Sequence, residues 1–300
     1  MLSFRNVTDI NIEQLLKPLS GQSEEYAREL LDSFLEFSRE NPECELAVSL
    51  YSDCLLLRVF DGGEYYFLAP FMLSESAGFS SAVRAIAAYA VKEEIPLVFS
   101  DVDAEMLSLM SEIFCFTESE LLDDGVYRVE VKNELDMLDT VPSLQKDGVL
   151  LTKLGKSDQI DYKRLATDVE TGRYWGYDYL ADEPNPDDCY FYDVAVSELE
   201  RCISLSLAVR LGDTFIGEAV IQSFDFMGGA EIAVRLLPEY RGRGLGSTAL
   251  ELLIDAARAI GLLTIRARVL PENAASLRLF SKYMKNEGFD VGAARFSLVL

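Results

Sequence analysis

The stretch Arg241-Gly242-Arg243-Gly244-Leu245-Gly246 decides the fold, because it is a glycine-rich turn between a strand-like run and a helix-like run. The strand-like run covers residues 230–237, and the helix-like run covers residues 247–260. Backbone N–H groups at such a junction point outward without partners, and the helix N-terminus adds partial positive charge. Because glycine has no Cβ, a ligand can approach the backbone closely. The stretch therefore predicts a cradle for a phosphate or pyrophosphate group.

The spacing of these glycines differs from that of two other phosphate-binding loops. A dinucleotide-binding turn needs Gly-x-Gly-x-x-Gly, and a P-loop ends in Gly-Lys-Ser or Gly-Lys-Thr. Residues 241–246 instead read Arg-x-x-Gly-x-Gly. Arg241 and Arg243 can add fixed charge and fork-shaped donors to the cradle.

Composition excludes several kinds of chemistry. The chain contains no histidine, which excludes Ser-His-Asp and Cys-His catalysis and every histidine-based metal site. A general base is then a carboxylate, a tyrosine, a thiolate or a water chain. The net charge of −24 disfavours a nucleic-acid partner and is compatible with a cationic substrate, or with solubility alone. We expect neither a metal nor a nucleic acid.

Cysteine usage and hydropathy indicate the compartment. The five cysteines form no C-x-x-C pair, as is usual for reduced thiols in a cytoplasmic protein. No apolar run reaches about 18 residues, and the first residues lack the basic-then-apolar layout of a signal peptide. We therefore expect a cytoplasmic protein with no membrane partner.

The two halves of the chain predict nearly the same order of elements. We expect a boundary after residue 140, with domains at 1–140 and 141–300. Residues 172–188, rich in aromatic and acidic side chains, are predicted to form a loop. In the second half we predict strands at 149–154, 204–210, 214–224, 230–237, 262–269 and 295–300, and helices at 157–169, 189–200, 247–260 and 273–285. In the first half we predict strands at 4–7, 45–51, 54–60, 64–69, 97–99 and 126–132, and helices at 9–18, 23–40, 80–93 and 104–114.

The strand-to-helix junction of the first half lacks the features of an anion cradle. Residues 71–78 contain no arginine and a single glycine. We therefore expect the first domain to be a degenerate copy that is catalytically silent, shaping a cleft or stabilising the chain.

The second half resembles the GNAT N-acetyltransferase superfamily. The resemblance rests on the loop 241–246, on the Asn-x-x-Ser helix start at Asn273 and Ser276, and on the order of strands and helices. It is closest to the branch of ribosomal-protein N-terminal acetyltransferases, and the tandem arrangement resembles proteins with a degenerate GNAT-like N-terminal half. The implied fold class is α/β (α+β), with two domains that each have a central mixed, mostly antiparallel sheet flanked by helices.

The implied activity is transfer of an acetyl group from acetyl-CoA to a primary amine by direct attack in a ternary complex. The strand before the loop would hold the pantetheine arm, and the loop would hold the pyrophosphate. The resemblance assigns the cofactor to Val234, Leu236, Leu237, Arg241, Gly242, Arg243, Gly244, Leu245, Gly246, Ser247, Asn273, Ser276 and Phe280.

The resemblance also suggests catalytic groups. Glu231 is the candidate base, and its alternative role is a solvent-facing strand residue or a partner of Arg235. Glu218 is the second candidate for the base. Where the family usually has a leaving-group tyrosine this chain has Phe280, so Tyr283, one turn further along, is the candidate acid, with a packing role or protonation by water as the alternatives.

The acceptor region of the family corresponds to residues 173–192. Carboxylates there can pair with an ammonium group, and aromatic faces can hold it by cation–π attraction. The substrate-binding candidates are Trp175, Tyr177, Asp178 and Glu218, and the alternative is a surface loop anchored by its aromatic residues. A protein N-terminus, a polyamine-like molecule and an amino-containing antibiotic all fit as acceptor.

Two other functions remain compatible with the sequence. One is a non-catalytic acyl-CoA sensor, and the other is an aminoacyl-tRNA-dependent transferase, which the acidic charge disfavours. The sequence predicts neither the acceptor's identity nor the oligomeric state.

Overall fold

The computed structural model describes residues 2–74, 78–122, 124–175 and 179–300. The chain divides into two compact units, Met1–Lys132 and Asn133–Leu300. The boundary that we expected after residue 140 falls inside the second unit.

The N-terminal unit is built on a sheet with strand order β1-β2-β3-β4-β6-β8-β7, and β5 pairs with β3. Among its described strands, only the pair β4–β6 is parallel. Its elements are β1 (Arg5–Asn6), α1 (Ile12–Leu16), α2 (Gln22–Glu40), β2 (Glu45–Tyr51), β3 (Cys54–Asp61), β4 (Glu64–Leu68), β5 (Phe71–Met72), α3 (Phe79–Lys92), β6 (Leu97–Val102), α4 (Ala104–Ile113), β7 (Phe116–Leu121) and β8 (Tyr127–Lys132).

The C-terminal unit is built on a sheet with strand order β15-β16-β14-β13-β12-β11-β10-β9. In the part of this unit that the structure describes, only the pair β13–β14 is parallel. Its elements are β9 (Leu144–Lys146), β10 (Val149–Lys153), α5 (Gln159–Ala166), α6 (Val169–Trp175), α7 (Tyr179–Asp182), α8 (Tyr190–Glu200), β11 (Ser204–Leu211), β12 (Thr214–Gln222), β13 (Gly229–Leu236), α9 (Leu245–Ala259), β14 (Thr264–Val269), α10 (Ala274–Tyr283), β15 (Lys285–Asp290) and β16 (Ala293–Val299).

The two sheets share one topology. Each has a run of antiparallel strands, one parallel pair joined by a helix, and a swap of the last two strands in the sheet order. Helix α3 makes the parallel crossover in the first unit, and α9 makes it in the second. The expected fold class, two mixed and mostly antiparallel sheets flanked by helices, is confirmed.

Helix α9 forms where its apolar spacing predicts it. Ala249, Leu252, Leu253 and Ala256 are all buried, and each fully buried leucine contributes about 1.5–3 kcal/mol. Gly261, with φ of 94°, ends the helical run in the left-handed region. The helix begins at Leu245 rather than after Gly246, so the glycine motif supplies its first turn.

The helix expected at 157–169 is broken after Ala166, so the prediction was wrong at its C-terminal end. Helix α5 ends at Ala166, and Asp168 then starts α6 because its carboxylate accepts the N–H of Thr171 at 2.8 Å. Ile160 is 63% exposed and Val169 85% exposed, so neither joins the buried face. The stretch 172–188 is therefore not a plain loop, since α6 and α7 run into it.

The end of the chain also differs from the expectation. The helix predicted to reach residue 285 stops at Tyr283, and residues 285–290 pair with β16 as an edge strand. Gly288 and Phe289 thus lie on a strand, with a bulge between Asn286 and Gly288. The polar sequence of β15 has no apolar alternation, so only its pairing with β16 makes it a strand. Strands β5, β7 and β9 were likewise not predicted.

Glu134, at the start of the second unit, is a buried carboxyl group without a hydrogen-bond partner. It is 1% exposed, and neither oxygen has a partner among the described residues. Burial raises the pKa of Glu134 from 4.5 to about 7, and the negative charges of Asp225 and Asp136 add to the rise. The folded protein therefore holds a proton there that the unfolded chain releases at lower pH.

We expect the Glu134→Gln substitution to stabilise the protein more as the pH rises. The wild-type carboxyl group of Glu134 binds its proton more tightly in the folded state. Its contribution to the free energy of unfolding is therefore fully present below pH 4.5 and is lost between pH 4.5 and about pH 7. Relative to wild type, the free energy of unfolding of Glu134→Gln should rise by up to about 3 kcal/mol between pH 4.5 and pH 8. Thermal unfolding between pH 4.5 and pH 8 measures the difference.

Glu200→Gln, at an exposed carboxyl group of α8, is the matched control and should show no such trend. A constant difference between Glu134→Gln and wild type across this pH range would contradict the raised pKa.

Candidate functional site

Strands β13 and β14 diverge, and this divergence opens the site. Their parallel register runs only from Gly229↔Thr264 to Glu231↔Arg266. Beyond Glu231, β13 continues to pair with β12 as far as Leu236, whereas β14 pairs with β16. A wedge-shaped gap therefore opens between the two strands, and one edge of β13 faces it.

The backbone of β13 turns alternate N–H groups into this gap. Leu237 donates its N–H to the carbonyl of Ile216 at 2.9 Å, so its amide faces β12. By the alternation of an antiparallel pair, the amides of Val234 and Leu236 face the opposite side. Of the three residues predicted to hold the pantetheine arm, Val234 and Leu236 thus turn their amides to the gap, whereas the amide of Leu237 is already used.

The glycine motif folds into a tight turn at the open end of the gap. A 3₁₀ turn at Pro238–Tyr240 precedes it, and Gly242 and Gly244 have φ of 70° and 83°. Gly244 is the N-cap of α9 and provides no side chain to cap the helix. Among the described residues, the amides of Leu245 and Gly246 have no backbone acceptor. The turn therefore presents free N–H groups at the positive end of a 15-residue helix.

The two arginines of the motif have different roles. Arg241 donates from Nε to the carbonyl of Leu236 at 3.0 Å, and its guanidinium pairs with Asp168 at 3.0 Å and with Glu170 at 2.8 Å. It also contacts Thr171. Burial raises the pKa of Asp168, but hydrogen bonds from Thr171 and Arg241 outweigh it and lower the pKa overall. Arg241 therefore fastens the turn to α6.

Arg243 is the arginine that remains available to a ligand. It is exposed, its guanidinium lies 6.0 Å from the ring centre of Tyr240, and it forms no ion pair with any residue that the structure describes. Its charge adds to that of the free amides of the turn.

A buried ion pair lies on the face of β12 and β13 that is turned towards helices α5 and α6. Glu218 accepts from Arg235 Nε and from the hydroxyl of Tyr162, both at 2.6 Å. Glu218 is 1% exposed and Arg235 5% exposed. The ring of Trp175 lies 4.0 Å from the Arg235 guanidinium. Trp175 and Glu218, both predicted to bind substrate, are thus brought together, but around an internal cation.

Glu231 lies at the point of divergence. Its carboxylate pairs with Arg268 Nε of β14 at 3.0 Å rather than with Arg235. It is directly opposite Gln222 in the register with β12, on the same face as the Glu218–Arg235 pair. Glu231 is partly exposed, so a bound molecule or water can reach its carboxylate.

A small polar pocket extends along this face between the sheet and helices α5, α6 and α8. Its lining includes four residues that were not predicted as site residues: Glu198, Ser204, Ser206 and Gln222. Ser204 donates to Glu198 at 2.5 Å. The signal was available, because serines 204 and 206 alternate with leucines in β11 and therefore turn a polar row to one face.

Tyr283 belongs to a polar network beside the first turns of α9. Its hydroxyl lies 2.5 Å from the Ser247 hydroxyl, it donates to Glu251, and Lys282 lies 2.5 Å away. Hydrogen bonds from Lys146 and then Tyr283 lower the pKa of Glu251. Tyr283 and Ser247 are brought together, whereas Tyr283 and Glu231 are not in contact.

The start of α10 is formed by the Asn-x-x-Ser segment. Asn273 accepts the N–H of Ser276 at 3.1 Å and so caps the helix. Phe280 is buried, with its ring centre 5.9 Å from that of Phe296. Tyr177 and Asp178, the other substrate-binding candidates, lie outside the described residues.

Comparison with known proteins agrees with this architecture. Residues 149–283 match the family model described as an acetyltransferase (GNAT) domain. The matched segment lies within the C-terminal unit, and the N-terminal unit repeats the strand order of that unit. No curated protein matches the chain. Within the described ranges, no helix is long and apolar enough to cross a membrane.

Three solved structures are similar over about half of the chain. The spermidine N-acetyltransferase from Vibrio cholerae, in complex with CoA and spermine, has 18% identity and a TM-score of 0.45, over 51% of this chain and 96% of its own. RimJ from Mycobacterium smegmatis, in complex with CoA-disulfide, has 19% identity and a TM-score of 0.44, over 54% and 87%. RimL, a ribosomal L7/L12 α-N-protein acetyltransferase in complex with coenzyme A, has 12% identity and a TM-score of 0.46, over 53% and 98%.

We expect Arg243→Gln to impair ligand binding and Arg241→Gln to impair stability. Arg243→Gln should weaken CoA binding about five- to tenfold, because a charged donor is lost, and should leave the melting temperature unchanged. Arg241→Gln should lower the free energy of unfolding by about 1–2 kcal/mol, because Asp168 and Glu170 lose the cation that pairs with them. Calorimetry with CoA and thermal unfolding measure both effects.

Each variant is the other's control. The assignment of Arg241 to the contact with α6 would be contradicted if both variants lost the same affinity for CoA and Arg241→Gln lost no stability.

Proposed function

We propose that the protein is an N-acetyltransferase that moves an acetyl group from acetyl-CoA to a primary amine in a ternary complex. One observation supports it above the others. Within a GNAT acetyltransferase domain, the diverging edge of β13 leads directly into a turn with free amides. These two features match the two parts of a CoA molecule, an extended amide-containing arm and a pyrophosphate.

The residues of the turn fit a pyrophosphate group. The amides of Leu245 and Gly246 supply donors, and Arg243 supplies charge. A side chain at Gly244 would be strained because φ is 83°, and it would stand at the mouth of the cradle. The amides of Val234 and Leu236 are placed to hold the pantetheine arm, and bound acetyl-CoA would supply the acetyl thioester.

The proposed reaction needs one base and no covalent bond between the acetyl group and the enzyme. The amine nitrogen attacks the thioester carbonyl carbon, its proton passes to a base, and the C–S bond breaks with the electron pair going to sulfur. Glu231 is the proposed base, because it lies at the divergence of the strands and remains accessible. Glu218 fits this role less well, since Arg235 and Tyr162 already occupy both of its oxygens.

We infer that Tyr283 positions Ser247 rather than protonating the leaving thiolate. Its hydroxyl contacts Ser247 and Glu251, which lie on the first turns of α9 at the pyrophosphate end of the site. The thiolate then takes its proton from water. Phe280 has no hydroxyl and packs in the core, so it offers no alternative donor.

The amine acceptor is proposed to enter along the polar face that carries Glu231 and the row of Ser204 and Ser206. The carboxylate of Glu198 on this face and the net charge of −24 favour a cationic molecule. Trp175 is proposed to act indirectly, because its ring already covers Arg235 at 4.0 Å. A protein N-terminus, a polyamine-like molecule and an amino-containing antibiotic are the classes to screen.

We expect Gly244→Glu to reduce acetyl-CoA binding by more than about a hundredfold in calorimetry, because it adds bulk and negative charge to the cradle. Gly212→Glu is the matched control. Gly212 also has positive φ, 61°, and also has open space around its Cβ position, but it lies in the turn between β11 and β12. The two substitutions introduce similar backbone strain, so only Gly244→Glu should weaken the binding of acetyl-CoA.

Absence of acetyl-CoA binding by the wild type would contradict the proposal. Equal weakening in both variants would show that strain, and not the cradle, is responsible.

We expect Glu231→Gln to lower kcat about a hundredfold while acetyl-CoA binding is retained, because proton transfer loses its acceptor. The measurement is steady-state acetylation of the best amine from the screen, across pH 5–9.

Arg268→Gln tests the alternative that Glu231 is only an ion-pair partner. It breaks the same contact but keeps the carboxylate, so its kcat loss should be much smaller. Equal losses in the two variants would remove Glu231 as the base. Tight acetyl-CoA binding without turnover of any amine would support the sensor function instead.

A further inference from the structure

A cleft of about 770 Å³ lies within the N-terminal unit. Residues 48–51 of β2 line its base, α1 and its flanking residues line one side, and the face of α3 over 85–92 lines the other. Its volume is in the range of pockets that bind small molecules, and most of its lining is apolar, with a few polar groups.

The cleft exists because β1 is short. β1 pairs with β2 only at Arg5↔Val48 and Asn6↔Ala47, so in the described part of the chain the edge of β2 beyond Val48 has no strand partner. In the C-terminal unit the equivalent strand, β10, pairs with β11 over five residues, and β9 adds a further strand. The same position in the same topology is thus filled in one unit and open in the other.

The open edge presents a backbone donor to the cleft. Val7 donates to the carbonyl of Leu46, so alternate residues of β2, including Val48 and Leu50, turn their polar backbone groups to the β1 side. Leu50 lies beyond the last pair with β1 and lines the cleft. Its N–H group can therefore donate to a ligand.

The charged side chains that line the cleft are basic, whereas the N-terminal unit as a whole is acidic. Residues 1–132 contain 25 acidic and 9 basic side chains. The described lining nevertheless contains Arg5 and Lys92 and no carboxylate. An unselected surface of this unit would be acidic, so the cleft is a local positive region that favours an anion.

Both cations are available to a ligand. Arg5 is exposed and forms no ion pair with any described residue. Lys92 contacts its neighbour Glu93 at the end of α3. Such an exposed pair contributes about 0–1 kcal/mol, so a bound anion can replace it.

We propose that this cleft binds a small organic carboxylate with an apolar body. The carboxylate accepts from the Arg5 guanidinium, from Lys92 and from the Leu50 amide, and the apolar body packs against α1 and against Ala88 of α3. The site lies wholly within the unit that lacks the glycine motif. It therefore stands independently of the acetyltransferase proposal.

Calorimetry of the full chain with 1-naphthylacetate and with its neutral amide, 1-naphthylacetamide, tests the site. The two probes share the apolar body and differ in charge. We expect the carboxylate to bind about tenfold more tightly than the amide, a difference of about 1.4 kcal/mol. In the double variant Arg5→Gln/Lys92→Gln this difference should disappear. Arg39→Gln/Arg128→Gln, which removes two cations outside the lining, should retain it.

A second pair of variants locates the binding. Ala88→Trp fills the cleft and should abolish binding of both probes, whereas Ser80→Trp, an exposed position of α3 outside the lining, should leave it intact. The proposal is overturned if neither 1-naphthylacetate nor octanoate binds at millimolar concentration. It is also overturned if the amide binds as tightly as the carboxylate to the wild type, or if Ala88→Trp binds unchanged.

Discussion

The divergence of β13 from β14 after only three paired residues is the constraint on which the C-terminal site depends. A parallel partner along the whole of β13 would occupy the amides of Val234 and Leu236. It would also close the space at the start of α9, because that helix is the crossover between the two strands. The gap, the free amides and the glycine turn are therefore consequences of one break in the sheet.

The Glu218–Arg235 ion pair stabilises the face of the sheet that also carries Glu231. Removing one member of such a buried pair costs about 3–5 kcal/mol, because the other charge is left without compensation. The pair is in turn enclosed by Tyr162 and Trp175. This face, along which we propose that the acceptor enters, is therefore fixed by the protein's own contacts. Trp175, which was expected to hold a substrate cation, already covers the guanidinium of Arg235.

Local sequence signals predicted the elements that depend on local interactions. The apolar stripe of α9 and the left-handed glycines of the turn follow from spacing and backbone freedom, and the structure contains both. The pairing of Arg241 with Asp168 could not be predicted, since the two residues are 73 positions apart in the chain. Arg235 was matched with Glu231 on its own strand, but the register with β12 places Glu218 opposite it. Strand β15 was missed for the same reason, because only a distant partner makes its polar sequence extended.

The two units show how one topology supports different sites. In the C-terminal unit, β9 and β10 cover the edge of β11, and the free backbone groups lie at the β13–β14 gap. In the N-terminal unit the parallel crossover lacks the glycine motif, and the free backbone groups lie at the edge of β2, where β1 is too short to cover them. Unpaired strand edges attract partners unless they are covered or used, and we expect each unit to bind its ligand at these free backbone groups. The acidic chain places positive charge beside both edges, at Arg243 in one unit and at Arg5 and Lys92 in the other, which favours an anionic ligand at each.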